Sequence, residues 1–173
     1  MKRLLLLCAG LLALAACTTL HQGVRESASP AAVWTVLPFI NNTETPFAAE
    51  RAEAISTALL YARGIQQVAV MPVAASAEAE PLVDRGLKRR QDGIEWAKKQ
   101  QIRYALQGTV TEWRYKVGLD GEPVAGFTLQ LIDLQSGKVV WTGSSGKSGW
   151  SREAVSAVAQ QVLEQLIATI ELR

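Results

Sequence analysis

The sequence predicts an α/β fold: one domain with a mixed, mostly antiparallel sheet packed with helices, in the order β-α-β-α-β-β-β-α. Three observations carry this prediction. Strand-like apolar runs alternate with helical periodicity as far as residue 101, the pattern of βα units. Three stretches of alternating polarity then follow one another with turn residues between them, the pattern of an antiparallel meander. From Ser151 to Leu172 one broad apolar stripe recurs at helical spacing, as in a helix laid against a sheet.

A leader precedes the domain. Met1-Lys2-Arg3 is basic, Leu4 to Leu14 is apolar apart from Gly10, and Leu14-Ala15-Ala16-Cys17 ends the run. A basic start, a short apolar run and small residues describe a secretory signal. The run falls short of the roughly 20 apolar residues that cross a bilayer. Leu-Ala-Ala-Cys resembles the lipobox of bacterial lipoproteins, which implies cleavage after Ala16 and acylation of Cys17. Thr18 in place of an aspartate implies transfer to the outer membrane. Residues 17–32 show no periodicity and contain Gly23, Ser27, Ser29 and Pro30, so they are expected to be a flexible tether. The periplasmic domain is expected to span 33–173.

Within it, Val33 to Ile40 is a strand pattern that Pro38 pushes toward an edge or bulge. Thr45-Pro46 reads as a cap and first helical residue, Ala48, Ala52, Ile55, Leu59 and Ala62 share a face, and Gly64 follows as a terminator. Ile65 to Met71 is a second strand, and 74–80 is a small-residue loop. Pro81 to Gln101 is interrupted by Gly86 and Gly93, which predicts two short helices. The basic residues of 85–103 predict a solvated helical face. Ile102 to Val117 is a long strand. Asp120-Gly121 is hairpin chemistry, and Val124 to Leu134 places Phe127, Leu129 and Leu131 on one face. After a turn at 135–138, Val139 to Thr142 starts another strand and Gly143 to Gly149 is a glycine-rich loop. That loop is too short for the Gly-x-x-x-x-Gly-Lys spacing of a phosphate-binding loop. Ser151 is the expected cap of the last helix, whose stripe is Val155, Val158, Val162, Leu166 and Ile170, widened by Leu163 and Ile167.

Composition narrows the function. Of 18 basic side chains, Lys2 and Arg3 leave with the leader, which matches the remainder to the 16 acidic ones. A neutral chain argues against a nucleic-acid binder. Cys8 is lost with the leader and Cys17 is committed to the anchor, so no thiol remains for chemistry. The lone histidine, His21, falls in the tether. With no carboxylate pair or metal-ligand cluster at recognisable spacing, neither catalysis nor a cofactor or metal is predicted.

Three segments carry a resemblance. Val36-Leu37-Pro38-Phe39-Ile40-Asn41-Asn42-Thr43, Tyr104-Ala105-Leu106-Gln107-Gly108-Thr109-Val110 and the hairpin Leu131 to Trp141 resemble a periplasmic superfamily. It includes the curli-secretion lipoprotein, the lipoprotein activators of penicillin-binding proteins and the TolB N-terminal domain. The Gly149-Trp150-Ser151-Arg152-Glu153 junction is most similar to the PelC family of Pel polysaccharide export. That resemblance implies a dodecameric periplasmic ring, lipid-anchored to the outer membrane below an export pore, guiding a cationic polysaccharide into biofilm matrix. The alternatives are a regulatory lipoprotein activating a peptidoglycan synthase, or a curli-type secretion component. A tether of about 16 residues reaches at most ~55 Å and favours work close to the membrane.

Two sites follow. Trp150 stands between Gly149 and Ser151, near Lys147 and Arg152, the company of interfacial aromatics; a membrane contact or a subunit contact fits it. Trp34 and Trp141 are expected in the core, Trp113 on a sheet face and Trp96 between helix and sheet. Asp120 and Glu122 lie at a hairpin tip, where solvated turn chemistry is the ordinary role. In a closed ring they would become a collar of negative charge able to attract a cationic polymer. Cys17→Ser is expected to yield an unacylated product absent from the outer-membrane fraction. Recovery of the variant in that fraction, as abundant as wild type, contradicts the lipobox reading.

Overall fold

The computed structural model describes residues 18–72, 82–118 and 121–173. The leader, Cys17, the 74–80 loop and Asp120 lie outside the described residues. Seven strands form one sheet: β1 (Thr18–Arg25), β2 (Val33–Val36), β3 (Ile40–Asn41), β4 (Gln67–Ala69), β5 (Tyr104–Tyr115), β6 (Pro123–Asp133) and β7 (Lys138–Ser148). Their order is β1-β7-β6-β5-β2-β4, with β3 also paired to β5. β5, β6 and β7 form the expected meander, β1 joins β7 antiparallel, and β2, β3 and β4 run parallel to β5 or to each other. Among the described residues three helices, α1 (Ala48–Ala62), α2 (Leu82–Lys99) and α3 (Val155–Ala168), pack with the sheet. The predicted α/β class with a mixed sheet holds, and β1 and β3 are additions to it.

The layers follow from side-chain alternation. β6 turns Ala125, Phe127, Leu129 and Leu131 to one face, where α1 and α3 cover them in the main core with Trp34, Trp113 and Trp141. α3 buries Val158, Val162, Leu163, Leu166 and Ile167, as its stripe predicted. Leu163→Ala would remove a fully buried side chain, a change that typically costs about 2–5 kcal/mol. On the opposite face α2 covers only the parallel half of the sheet. There Leu37, Ala97, Ile102 and Ala105 form a smaller cluster that Trp96 flanks. The outer face of β6, β7 and β1 carries Thr128, Gln130, Ser144 and His21 instead, as befits an antiparallel face with no layer over it.

Several sequence expectations give way to tertiary context. The expected tether contains β1, whose alternation is polar because one of its faces meets solvent. Residue Ala28 then bridges to Leu172, so the sheet already includes residues ahead of Val33. The strand expected over 33–40 breaks into β2 and β3 at Leu37-Pro38-Phe39. α2 is one helix rather than two, because Gly93 is a packing glycine. A Cβ there would stand 2.9 Å from Pro38 Cδ and 3.2 Å from Leu37 Cδ2, so its absence lets the helix cross the strand break. The 143–149 glycine segment is mostly strand, with β7 continuing to Ser148. In β5 a bulge between Val110 and Glu112 resets the alternation, which is why Val110 and Trp113 are both buried. α1 turns its buried face to Ala48, Ala49, Ala52, Ser56 and Leu60, leaving Ile55 and Leu59 half-buried. Thr45 does not cap it; the Thr45 hydroxyl donates to the Trp113 carbonyl instead.

The basic segment before β5 is likewise more than a solvated face. Arg89 pairs with Glu50 at 3.0 Å and with Glu53 at 3.3 Å, and the Arg90 guanidinium donates to the carbonyls of Pro38 and Gly108. Burial raises the Glu53 carboxyl above its ordinary value, against the opposing pull of the Phe39 N–H and Arg89. These contacts clamp α2 and α1 over the gap that Pro38 leaves in the ladder.

Asp133 closes the β6–β7 turn by accepting from the amides of Gln135 (2.9 Å) and Ser136 (3.3 Å) and from Arg103 (2.7 Å). Burial pushes its carboxyl up, but those partners together outweigh it and hold it below the ordinary 3.8. A lowered folded value means the unfolded chain takes up the proton first. Its stabilisation is therefore present above pH 3.8 and lost as pH falls through the lowered folded value. The stability gap between wild type and Asp133→Asn is expected to be widest near neutral pH and to narrow in acid, measured by denaturant titration at several pH values; a pH-independent gap contradicts this assignment. Gly108→Ala is expected to cost about 1–3 kcal/mol by the same titration, since its Cβ would meet Leu129 and Phe39 side chains at 2.6 Å.

Candidate functional site at one end of the sheet

While Cys17 and Asp120 lie outside the described residues, the register brings Glu122 and Trp150, two of the sequence-predicted residues, to one end of the sheet. β5 and β7 finish there while β6 and β1 begin, as the pairs Tyr115↔Pro123, Val124↔Ser148 and Thr18↔Lys147 record. Cys17 directly precedes the first strand residue, Thr18, in the sequence. The 149–154 loop, the β5–β6 hairpin and the start of α3 share this end.

Trp150 is held rigidly with its ring in solvent. Gly149 leaves no room for a side chain: a Cβ would stand 2.5 Å from both Glu153 Oε2 and Val158 Cγ2. The Gly149 amide donates to the Pro123 carbonyl at 2.8 Å. The Glu153 carboxylate accepts the Trp150 amide at 3.1 Å, while the Glu153 amide returns to the Trp150 carbonyl at 3.0 Å. Gln161 steadies that carboxylate at 3.2 Å, and the Tyr115 hydroxyl bonds the Glu153 carbonyl and the Val155 amide, both at 3.3 Å. The loop thus ties β5, β6 and α3 together, yet the Trp150 side chain is 67% exposed. The expected Ser151 cap is not formed, because α3 starts at Val155 behind Ala154 and Glu153 serves the loop instead.

At the hairpin, Lys116 Nζ lies 2.9 Å from Glu122 and Arg114 Nε lies 2.9 Å from Glu112. Glu122 is therefore charge-compensated within the hairpin, which leaves Asp120, outside the described residues, as the acid on which a tip field would depend. Val117 is fully exposed beside them. His21 sits opposite Ser144, in a shallow groove of about 260 Å³ with Thr111, Glu112 and Lys147. Among the described residues no three metal-ligating side chains come together, and no described helix is long and apolar enough to cross a membrane. Sequence reasoning missed one residue of this end, the exposed Phe47, because Thr45-Pro46-Phe47 reads as an ordinary helix start.

Comparison with solved structures places this geometry. A PelC dodecamer from Paraburkholderia phytofirmans is 35% identical over 90% of this chain and 99% of its own, with a TM-score of 0.75. The chain belongs to the PelC family. A dodecamer of a point variant of the same PelC aligns with a TM-score of 0.76 at the same identity and coverage. Lipoprotein GNA1162 from Neisseria meningitidis shares the fold at 20% identity, covering 79% of this chain and 96% of its own with a TM-score of 0.55. No family model matches the sequence, and no curated protein matches it. Within this PelC-family chain, Glu153→Ala is expected to speed hydrogen exchange at the Trp150 amide while leaving the β6 amides protected. Unchanged exchange at Trp150 would show that the carboxylate does not hold the loop.

Proposed function

We propose that this protein is an outer-membrane lipoprotein of Pel-type exopolysaccharide export, assembled as a ring on the periplasmic face and acting as a conduit rather than an enzyme. The observation that carries the reading is the likeness to the dodecameric PelC over 99% of that chain. Acylated Cys17 ties each copy to the membrane, an export pore of the same pathway lies above the ring, and a cationic polysaccharide passes through it. Two or three acyl chains at about 0.8 kcal/mol per buried CH₂ make the attachment effectively permanent.

In this reading the anchor end of the sheet faces the bilayer and Trp150 rests in the headgroup region, where amphipathic aromatic rings are favoured. β1 supports this by beginning at Thr18, which leaves no slack between anchor and domain. The same feature counts against a regulator that must reach across peptidoglycan. Asp120 supplies negative charge near the ring opening, beside Glu122, whose own charge Lys116 offsets. Exposed charges act over about 8 Å at physiological salt, so the attraction is weak enough for the polymer to leave.

The detergent-solubilised lipoprotein is expected to show the mass of a closed ring of about twelve copies by light scattering; a monomer at micromolar concentration contradicts the assembly. Asp120→Ala, alone or with Glu122→Ala, is expected to lower polysaccharide secretion with assembly intact. Wild-type secretion from the assembled double variant removes both acids from the mechanism.

A further inference from the structure

Resting on the membrane-facing reading above, we propose that Phe47 is a second lipid-contacting aromatic of the anchor end, seated with Trp150 in the headgroup region of the bilayer that holds Cys17. Two independent observations converge on it. The first is conformational. Phe47 has φ 59 and ψ 19, the left-handed region, which a bulky residue rarely adopts and which Gly or Asn would occupy with less strain.

The chain before Phe47 enforces that conformation. Asn41 Oδ1 accepts the Thr43 amide at 3.0 Å and the Thr43 hydroxyl at 2.7 Å, while Asn41 Nδ2 donates to the Thr45 carbonyl at 2.8 Å. Thr43 Oγ1 accepts the Thr45 amide at 3.2 Å, and the Thr45 hydroxyl is tied to β5 at Trp113. The strain is not repaid by packing in the subunit, since the Phe47 side chain is 67% exposed. A loop this fully bonded presents a large apolar ring to something outside the domain.

The second observation is position. β3 runs parallel to β5 with Ile40 opposite Thr109 and Asn41 opposite Val110, and the chain continues along β5 until Thr45 meets Trp113. Phe47, two residues on, therefore stands at the end where β5 finishes, the end at which Thr18 begins and the chain outside the structure departs. Exposed Tyr115, Val117 and Trp150 are there too. The other exposed aromatic, Tyr61, lies at the far end of α1, about 20 Å down the helix axis, and its hydroxyl donates to the Val68 carbonyl. Large exposed apolar side chains thus stand at the same end of the sheet as the attachment point of the chain, as a surface pressed to a lipid interface requires.

The test uses p-benzoylphenylalanine at position 47, 150 or 61 in the whole chain, expressed with its own leader in cells with radiolabelled phospholipid. Irradiation is expected to give lipid adducts at 47 and 150 and none at 61. Lipid at 150 with no adduct at 47, or with a second copy of this chain captured there, overturns the Phe47 proposal and leaves the membrane reading standing. No lipid at either position overturns both. As a companion, Phe47→Asn is expected to keep or raise the thermal midpoint while lowering the lipid adduct formed at 150. A fall in the midpoint would mean the ring serves the fold and would overturn the proposal.

Discussion

The pairing of β1 with β7 fixes where the chain enters the domain. Thr18 lies opposite Lys147, Leu20 opposite Ser145 and Gln22 opposite Gly143, so the strand cannot slide without exchanging its two faces. Beyond a register shift, Glu26 donates to the Val140 carbonyl and Ala28 exchanges hydrogen bonds with Glu171 and Arg173, which ties the N-terminal strand to the C-terminus as well. The consequence is mechanical. An anchor on Cys17 would hold the domain by a strand, with an orientation, where a tether would hold it only at a distance.

Orientation gives meaning to the side chains gathered at that end. Trp150 and Phe47 are each presented by a loop hydrogen-bonded both within itself and to neighbouring strands, and each loop contains a non-glycine residue in the left-handed region, Arg152 in one and Phe47 itself in the other. Rigid presentation of an exposed ring lowers the ordering cost of binding. The hairpin charges act differently. Arg114 with Glu112 and Lys116 with Glu122 cancel locally, so a negative field from this hairpin depends on few groups and gains strength only by repetition around a ring.

Much of this was legible in the sequence wherever periodicity reported burial directly. Phe127, Leu129 and Leu131, or the Val158 to Ile167 stripe, face the core because nothing competes with their alternation. Legibility failed where one residue served a distant neighbour. Gly93 reads as a helix breaker until Pro38 and Leu37 are seen across from it, and Gly149 reads as a loop until Val158 is. Thr45 reads as a helix cap, yet it is spent on holding a loop, and the loop after β7 is held by Glu153 where the cap was expected at Ser151. β1 escaped notice because an edge strand with a solvated face has no apolar signature. The exposed Trp150 was legible from its polar neighbours, whereas Phe47 was hidden because its left-handed backbone has no sequence signal in a residue of that size.

The direct test is hydrogen exchange across residues 18–25 in the full chain expressed with its own leader and reconstituted on lipid vesicles. A strand-held anchor predicts slow exchange for the amides paired to β7, comparable to the Gly143 to Lys147 amides opposite them. Random-coil rates throughout 18–25, with β6 and β7 still protected, would contradict the account and restore a flexible tether between the lipid and the domain.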